Sequence, residues 1–195
     1  MLKYIESALK ESSQALANFQ ANAVSLKAIE QAALTIISSL RNQGFVYSCG
    51  NGGSMCDAMH FAEELSGRFR KDRAALPAIA ISDPAHLTCV ANDFGFAEVF
   101  SRYVQSHCRA GDTLLAISTS GKSPNIVAAA KAAKNKKVRV IGLTGKPNSE
   151  LSPYCDVEIC TSGGQFSDRV QEMHIKVLHI LIELIERELF PENYR

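Results

Sequence analysis

Apolar residues recur at three- and four-residue spacing through the first forty positions. Leu2, Ile5 and Leu9 form one run and Leu26, Ile29, Ala33, Ile36 and Leu40 a second, before Gly44 interrupts the pattern. That period belongs to helices with one apolar face, so the spacing predicts helices over 2–20 and 25–42. Beyond Gly44 the pattern changes to short, nearly continuous apolar runs at Val46–Cys49, Ala78–Ile81, Thr113–Ile117, Val138–Leu143 and Val157–Cys160. Strands that are apolar at most positions are covered on both faces, and helical patterns of a dozen or more residues separate most of these. The expected fold is therefore α/β, a doubly wound parallel sheet flanked by helices. An N-terminal helical pair precedes the sheet, and a long helix over Asp168–Leu189 follows it. No repeat, low-complexity tract or long linker divides the chain, so a single domain over 1–195 is expected.

Composition narrows the partners. The 195 residues are 46% hydrophobic, enough for a full core, and 21 basic against 20 acidic side chains leave a net charge of +1. Nucleic acid and anionic membranes need a stronger basic footprint, so neither is expected as a partner. The six cysteines show no C-x-x-C spacing, which argues against a zinc ribbon or a redox pair and predicts buried thiols in a reducing compartment. Lys3, Glu6, Lys10 and Glu11 interrupt the N-terminal segment, and no apolar run reaches the ~18 residues of a membrane span. A cytoplasmic location is expected.

Two small-residue loops follow strand-like runs and open helix-like segments: Gly50-Asn51-Gly52-Gly53-Ser54 and Ser118-Thr119-Ser120-Gly121-Lys122-Ser123. A helix N-terminus offers unpaired N–H groups and a favourable dipole to an anion, glycines admit close approach, and hydroxyls add donors, so the pair predicts a site for a phosphorylated ligand. In such sheets ligands bind beyond the carboxyl ends of the strands, where both loops fall. Ser123 reads as a helix N-cap with Pro124 at the first helical position. Gly121-Lys122-Ser123 imitates the end of a P-loop, but Ala116 stands where that motif needs glycine. Met55 likewise stands at the third glycine of a dinucleotide fingerprint, so nucleotide hydrolysis and Rossmann cofactor binding are both set aside.

Within a helix expected over Met55–Arg68, His60 and Glu64 share one face at four-residue spacing, close enough to share a metal or a proton; Glu63 beside them faces solvent. On the last helix, Val170, Met173, Val177, Leu178, Leu181, Leu184 and Ile185 cover most of the circumference. Glu172, Lys176, His179 and Glu183 form its polar stripe, and His174 on the opposite side reads as a satisfied core histidine.

Five segments carry a resemblance. Ser48–Ser54, Cys56–Leu65, Ala91–Phe96, Ile117–Gly121 and Val170–Lys176 closely resemble the phosphoheptose isomerases of the sugar isomerase (SIS) superfamily, in order and without large gaps. The resemblance implies a flavodoxin-like SIS fold and interconversion of sedoheptulose 7-phosphate and D-glycero-D-manno-heptose 7-phosphate, the entry to lipopolysaccharide heptose. It implies a homotetramer with active sites between subunits, in which helices of 1–42 serve oligomerisation. Ser118, Thr119, Ser120 and Ser123 would hold the phosphate, and Asn51, Gly52, Gly53, Ser54, Asn92 and Asp93 would contact the sugar. Glu64 and His179 would be the acid–base pair. His60, Glu64, Gln171 and His179 would ligate one Zn2+ per subunit, and Glu64 and Gln171 would also contact substrate. Asp168 would be a further active-site acid, offered to a neighbouring subunit. Met55 and Lys122 depart from some relatives, at positions without an assigned role. Fold relatives that bind the bacterial replication initiator share the Leu189-Phe190-Pro191 ending but depart at the catalytic glutamate and the Ser-Thr-Ser loop, so Glu64, His179 and Ser120 favour the enzyme. Isomerisation of another sugar phosphate stays open.

Overall fold

A computed structural model describes residues 1–164 and 166–195. Two long helices lead, α1 (Leu2–Gln20) and α2 (Ala23–Arg41). The Asn22 side chain accepts from the N–H groups of Val24 and Ser25, and this cap starts α2 two residues before its apolar period does. Strands β1 (Val46–Cys49), β2 (Ala78–Ala80), β3 (Thr113–Ser118), β4 (Arg139–Thr144) and β5 (Val157–Cys160) lie within one residue of their expected bounds. All pair in parallel, in the order β2-β1-β3-β4-β5. The connecting helices are α3 (Gly53–Ser66), α4 (Pro84–Phe94), α5 (Val99–His107) and α6 (Pro124–Asn135), and α7 (Ser167–Leu189) closes the chain. α3 begins at Gly53 rather than Met55, because the loop glycines themselves start the helix.

Alternation along the strands sorts the core into two layers. Leu115 and Ile117 of β3 point with Val46 and Ile141 to a cluster formed with α2, α3 and α7, where Ile36, Phe61, Leu178 and Leu181 are buried. Leu114 and Ala116 point the other way with Tyr47, Cys49 and Val140, toward Phe100, Val104 and Ile126 of α5 and α6. A sheet covered on both faces explains why its strands read as unbroken apolar runs. By length and composition α2 would pass as a membrane span at mean hydropathy 1.2, but Ile29, Ala32, Ala33, Ile36 and Ile37 bury its apolar face in the first cluster. The order of strands places β1 between β2 and β3, so the chain leaves β1 to one side and returns on the other. That reversal opens a crevice beyond the carboxyl ends of β1 and β3.

Two expectations need correction. Cys49 and Cys108 are buried, but Cys56 and Cys89 are exposed, on the outward sides of α3 and α4. His174 is fully buried on α7 as expected, yet it is not satisfied: among the described residues neither ring nitrogen has a partner at hydrogen-bonding geometry. Burial holds its ring neutral, pulling the pKa down to about 4 although the neighbouring Thr144 main chain acts in the opposite sense. The unfolded chain protonates this ring near 6.5, so the stability it permits is complete above about pH 6.5 and is lost as the pH falls toward 4. At pH 5 the loss is about 2 kcal/mol. Asp57 acts in the opposite direction, since burial raises its carboxyl to about 6 and acidification through that window favours the fold. His174→Leu isolates the histidine. Urea unfolding at fixed protein concentration should find native protein losing about 2 kcal/mol more than this variant between pH 7 and pH 5; equal losses would acquit His174.

Candidate active site

The two loops meet where β1 and β3 end side by side. Asn51 and Asn125 bridge them through a reciprocal amide pair, Asn51 Nδ2 donating to Asn125 Oδ1 at 2.9 Å and Asn125 Nδ2 to Asn51 Oδ1 at 2.8 Å. Asn125 is buried at the second position of α6, and its Oδ1 also accepts from the Ile126 N–H. Nothing in a Ser-Pro-Asn helix start distinguishes this bridge from an ordinary cap, so only the fold reveals it. Gly50 permits the first turn, because a Cβ there would run into the Ser54 carbonyl. Gly52 holds φ +55°, the left-handed region that favours glycine.

A cavity of about 300 Å³ lies between the loops, lined by Asn51, Gly52, Gly53, Ser54, Ser118, Thr119, Ser123 and Gln171, with Ser167 at its edge. Ser118 Oγ donates to Ser123 Oγ at 3.2 Å. Ser123 precedes Pro124 as expected, but its hydroxyl makes no capping hydrogen bond and stays turned toward Ser118. The hydroxyls of Thr119 and Ser120 line an adjoining space of about 140 Å³ with Lys146, and Ser120 Oγ accepts from the Lys122 N–H at 3.2 Å. With the N-termini of α3 and α6, these groups present donors to an anion. Gln171 reaches over the start of α3, where a Cβ on Gly53 would lie 2.7 Å from its amide nitrogen.

At the other end of the α3–α7 contact, His60 stands among three partners. Its Nε2 lies 2.9 Å from His179 Nε2 and 3.6 Å from Glu64 Oε1, while Nδ1 lies 3.0 Å from Glu63 Oε1. The two imidazoles meet edge to face, and the Phe69 ring packs against His179 at 5.9 Å. Burial raises the Glu64 carboxyl above its ordinary range; the Glu63 charge adds to that and His60 opposes it. Burial also lowers the His179 pKa, reinforced by the positive groups of His60, Lys176 and Arg70. Asp57, one turn before His60, has a buried Oδ2 without a partner among the described residues, a feature that the sequence spacing does not single out. The chemistry of these donors suits a borderline metal. Among the described residues His60, Glu63 and Glu64 bring their ligand atoms within 4.8 Å of one another, while His179 reaches this group through its 2.9 Å contact with His60.

Not every expected residue joins this arrangement. Gln171 and His179 lie eight residues apart on α7, about 12 Å along its axis, and Gln171 faces Gly53 rather than His60. Asn92 and Asp93 stand exposed on the last turn of α4, hydrogen-bonded to each other at 2.8 Å and outside the cavity. Asp168 is exposed on the first turn of α7, beside Arg169, which pairs with Glu11 of α1.

Comparison with known proteins agrees with this fold. Residues 9–145 match the SIS domain family. Phosphoheptose isomerases from Edwardsiella ictaluri and Escherichia coli O7:K1 are 55% and 52% identical over 185 residues, covering 95% of this chain and 96% of each relative. The structure of a phosphoheptose isomerase from Francisella tularensis superposes with a TM-score of 0.89 at 37% identity, covering 95% of this chain and 98% of that one. That of the Neisseria gonorrhoeae enzyme gives 0.87 at 35% identity with the same coverage. A parallel five-stranded sheet, two anion-ready loops at its switch point and near-full-length likeness all agree: the chain belongs to the phosphoheptose isomerases of the SIS-domain family.

Proposed function

We propose that this chain interconverts sedoheptulose 7-phosphate and D-glycero-D-manno-heptose 7-phosphate through an enediol, in the cytoplasm, supplying heptose for lipopolysaccharide. The observation that carries the reading is the placing of an anion seat at the start of α3 and a carboxylate–imidazole cluster on its second half. His60 lies seven residues beyond Gly53, about 10 Å along the helix, and Glu64 reaches back to it because helical side chains lean toward the N-terminus. In an open-chain heptose 7-phosphate, eight bonds separate C1 from phosphorus. At about 1.2 Å per bond of an extended chain they span about 10 Å, so the phosphate and the reacting carbons fit the two places together.

Ser118, Thr119, Ser120 and Ser123 hold the phosphate, with Asn51, Gly52, Gly53, Ser54 and Gln171 along the sugar. Glu64, held as a stronger base by burial, removes the proton from C1 of the ketose and returns one to C2. His179, held neutral, takes the O1 proton and delivers one to O2, so the carbonyl moves from C2 to C1 with no net gain or loss. His60, Glu64 and His179 would hold zinc, with Gln171 as the fourth donor once its amide swings from Gly53 or comes from a neighbouring subunit. A zinc ion held by these residues would supply Lewis-acid polarisation of the substrate oxygens. The 12 Å between Gln171 and His179 supports active sites completed between subunits of a homotetramer, as do the exposed Asp168, Asn92 and Asp93. Exposed Leu2, Ile5, Leu9, Val24 and Leu26 on α1 and α2 support their use in assembly.

Incubating zinc-supplemented protein with sedoheptulose 7-phosphate tests this, with new anomeric proton signals of the aldose read by NMR. No conversion by a folded, metal-loaded sample overturns it, and conversion of a different sugar phosphate alone would replace the substrate. Ser120→Ala removes one hydroxyl donor to a charged group, worth about 1.5–3 kcal/mol. KM should rise about ten- to a hundredfold, with a smaller fall in kcat; an unchanged KM would place the phosphate elsewhere.

A further inference from the structure

Pairing of β1 with β3 reaches Cys49 and Ala116 and goes no further. Past that point, among the described residues, no main-chain hydrogen bond joins residues 50–54 to residues 119–123. The link is made by side chains, the amides of Asn51 and Asn125, which exchange hydrogen bonds at 2.9 and 2.8 Å. Their orientation is fixed from the main chain outward. The Ile126 N–H can only donate, so the Asn125 atom 3.0 Å from it is the oxygen. Asn125 Nδ2 must then meet the oxygen of Asn51, and Asn51 Nδ2 the oxygen of Asn125. One N–H of Asn51 is used in this bridge. The other makes no hydrogen bond among the described residues, on a half-buried side chain that lines the cavity between the loops.

We propose that Asn125 is a positioning residue, which holds the two anion-binding loops in register and presents the free N–H of Asn51 to the ligand. Asn125 is 2% exposed and does not line the cavity, so it acts through Asn51 and not by touching the ligand itself. A seat whose two halves are already in register is not left for the ligand to order, and the entropy of fixing the loops is met in folding rather than in binding. The effect on affinity rests on the reading of these loops as an anion seat, whereas the ordering of the loops stands on the hydrogen bonds alone.

Inorganic phosphate is the probe, titrated calorimetrically into native protein, Asn125→Ala, Asn51→Ala and the double variant. Asn125→Ala should bind it about 10–100-fold more weakly, and KM for the sugar phosphate should rise more than kcat falls. In protein already lacking the Asn51 amide, loss of Asn125 should weaken binding by about twofold or less, because the two act as one unit. Asn125→Ser keeps an oxygen for the Ile126 N–H but is too short to reach Asn51, so it should fold normally and bind phosphate as poorly as Asn125→Ala. Hydrogen exchange of ligand-free protein, read by mass spectrometry, should quicken in residues 50–54 and 118–123 of both variants and stay native in α2 and β4. Additive losses in the double variant, native phosphate affinity retained by Asn125→Ala and Asn125→Ser, or exchange quickened throughout the fold would each overturn the proposal. If native protein binds no phosphate while exchange quickens in the two loops alone, the anion reading fails and the ordering of the loops by Asn125 stands.

Discussion

Glu64→Gln is expected to lower kcat by about three orders of magnitude in a protein that folds and binds phosphate normally. A positioned general base contributes about 10²–10⁴-fold, and glutamine keeps the shape of glutamate while losing the lone pair that takes a carbon-bound proton. Glu64 suits the task because burial, with the neighbouring Glu63 charge, lifts its carboxyl above the ordinary range. The same carboxylate is offered to a metal, and the two roles predict different residues of activity. If Glu64 acts chiefly as a ligand, excess zinc restores most of the rate; if it is the base, a fully loaded variant stays inactive. Measuring zinc content and kcat on the same samples separates them. An unchanged affinity for inorganic phosphate, by competition, shows that the loop hydroxyls are undisturbed. Rates near native from a loaded Glu64→Gln would remove the glutamate from the proton transfer altogether.

The parts of this molecule differ in how far the sequence discloses them. Strands were legible because a two-sided parallel sheet makes its strands apolar throughout, and the loops were legible because glycine and serine at strand ends leave few structural alternatives. Strand order was not, since every crossover between parallel strands looks alike along the chain. His60 and Glu64 announce their proximity through four-residue spacing, but their meeting with His179 depends on how α3 packs against α7, which spacing does not encode. The family resemblance supplied that residue where periodicity could not. Asn125 and Glu186 were missed for a common reason: each is a polar residue whose partner is distant in the chain, Asn51 in one case and Arg73 in the other. Such pairs have no local period, and Glu186 on α7 reads as one more charged position among Glu183, Arg187 and Glu188.

Glu186→Ala is expected to destabilise the fold by about 3–5 kcal/mol, because it strands a buried guanidinium. Arg73 Nε donates to Glu186 Oε1 at 2.8 Å, and both side chains are 1% exposed. The rest of the guanidinium closes the end of α3, Nη2 donating to the Glu64 carbonyl at 2.6 Å and Nη1 to the carbonyls of Leu65 and Gly67 at 2.8 Å. Those are among the last carbonyls of the helix, which have no partner within it. Tyr194 donates its hydroxyl to the second Glu186 oxygen at 2.8 Å, and burial beside that charge pushes its own pKa to about 12. One ion pair therefore ties the C-terminal segment, α7 and the backbone of Glu64 together. Replacing both partners with leucine should cost less than removing Glu186 alone, since the expense lies in the unpaired charge and not in the lost attraction. Urea unfolding of the two variants at one protein concentration decides the matter. If Glu186→Ala costs under 1 kcal/mol, the guanidinium has found water. A loss of kcat in the Arg73→Leu, Glu186→Leu protein, at temperatures where it stays folded, would then measure how much the carbonyl contacts of Arg73 contribute to holding Glu64 in place.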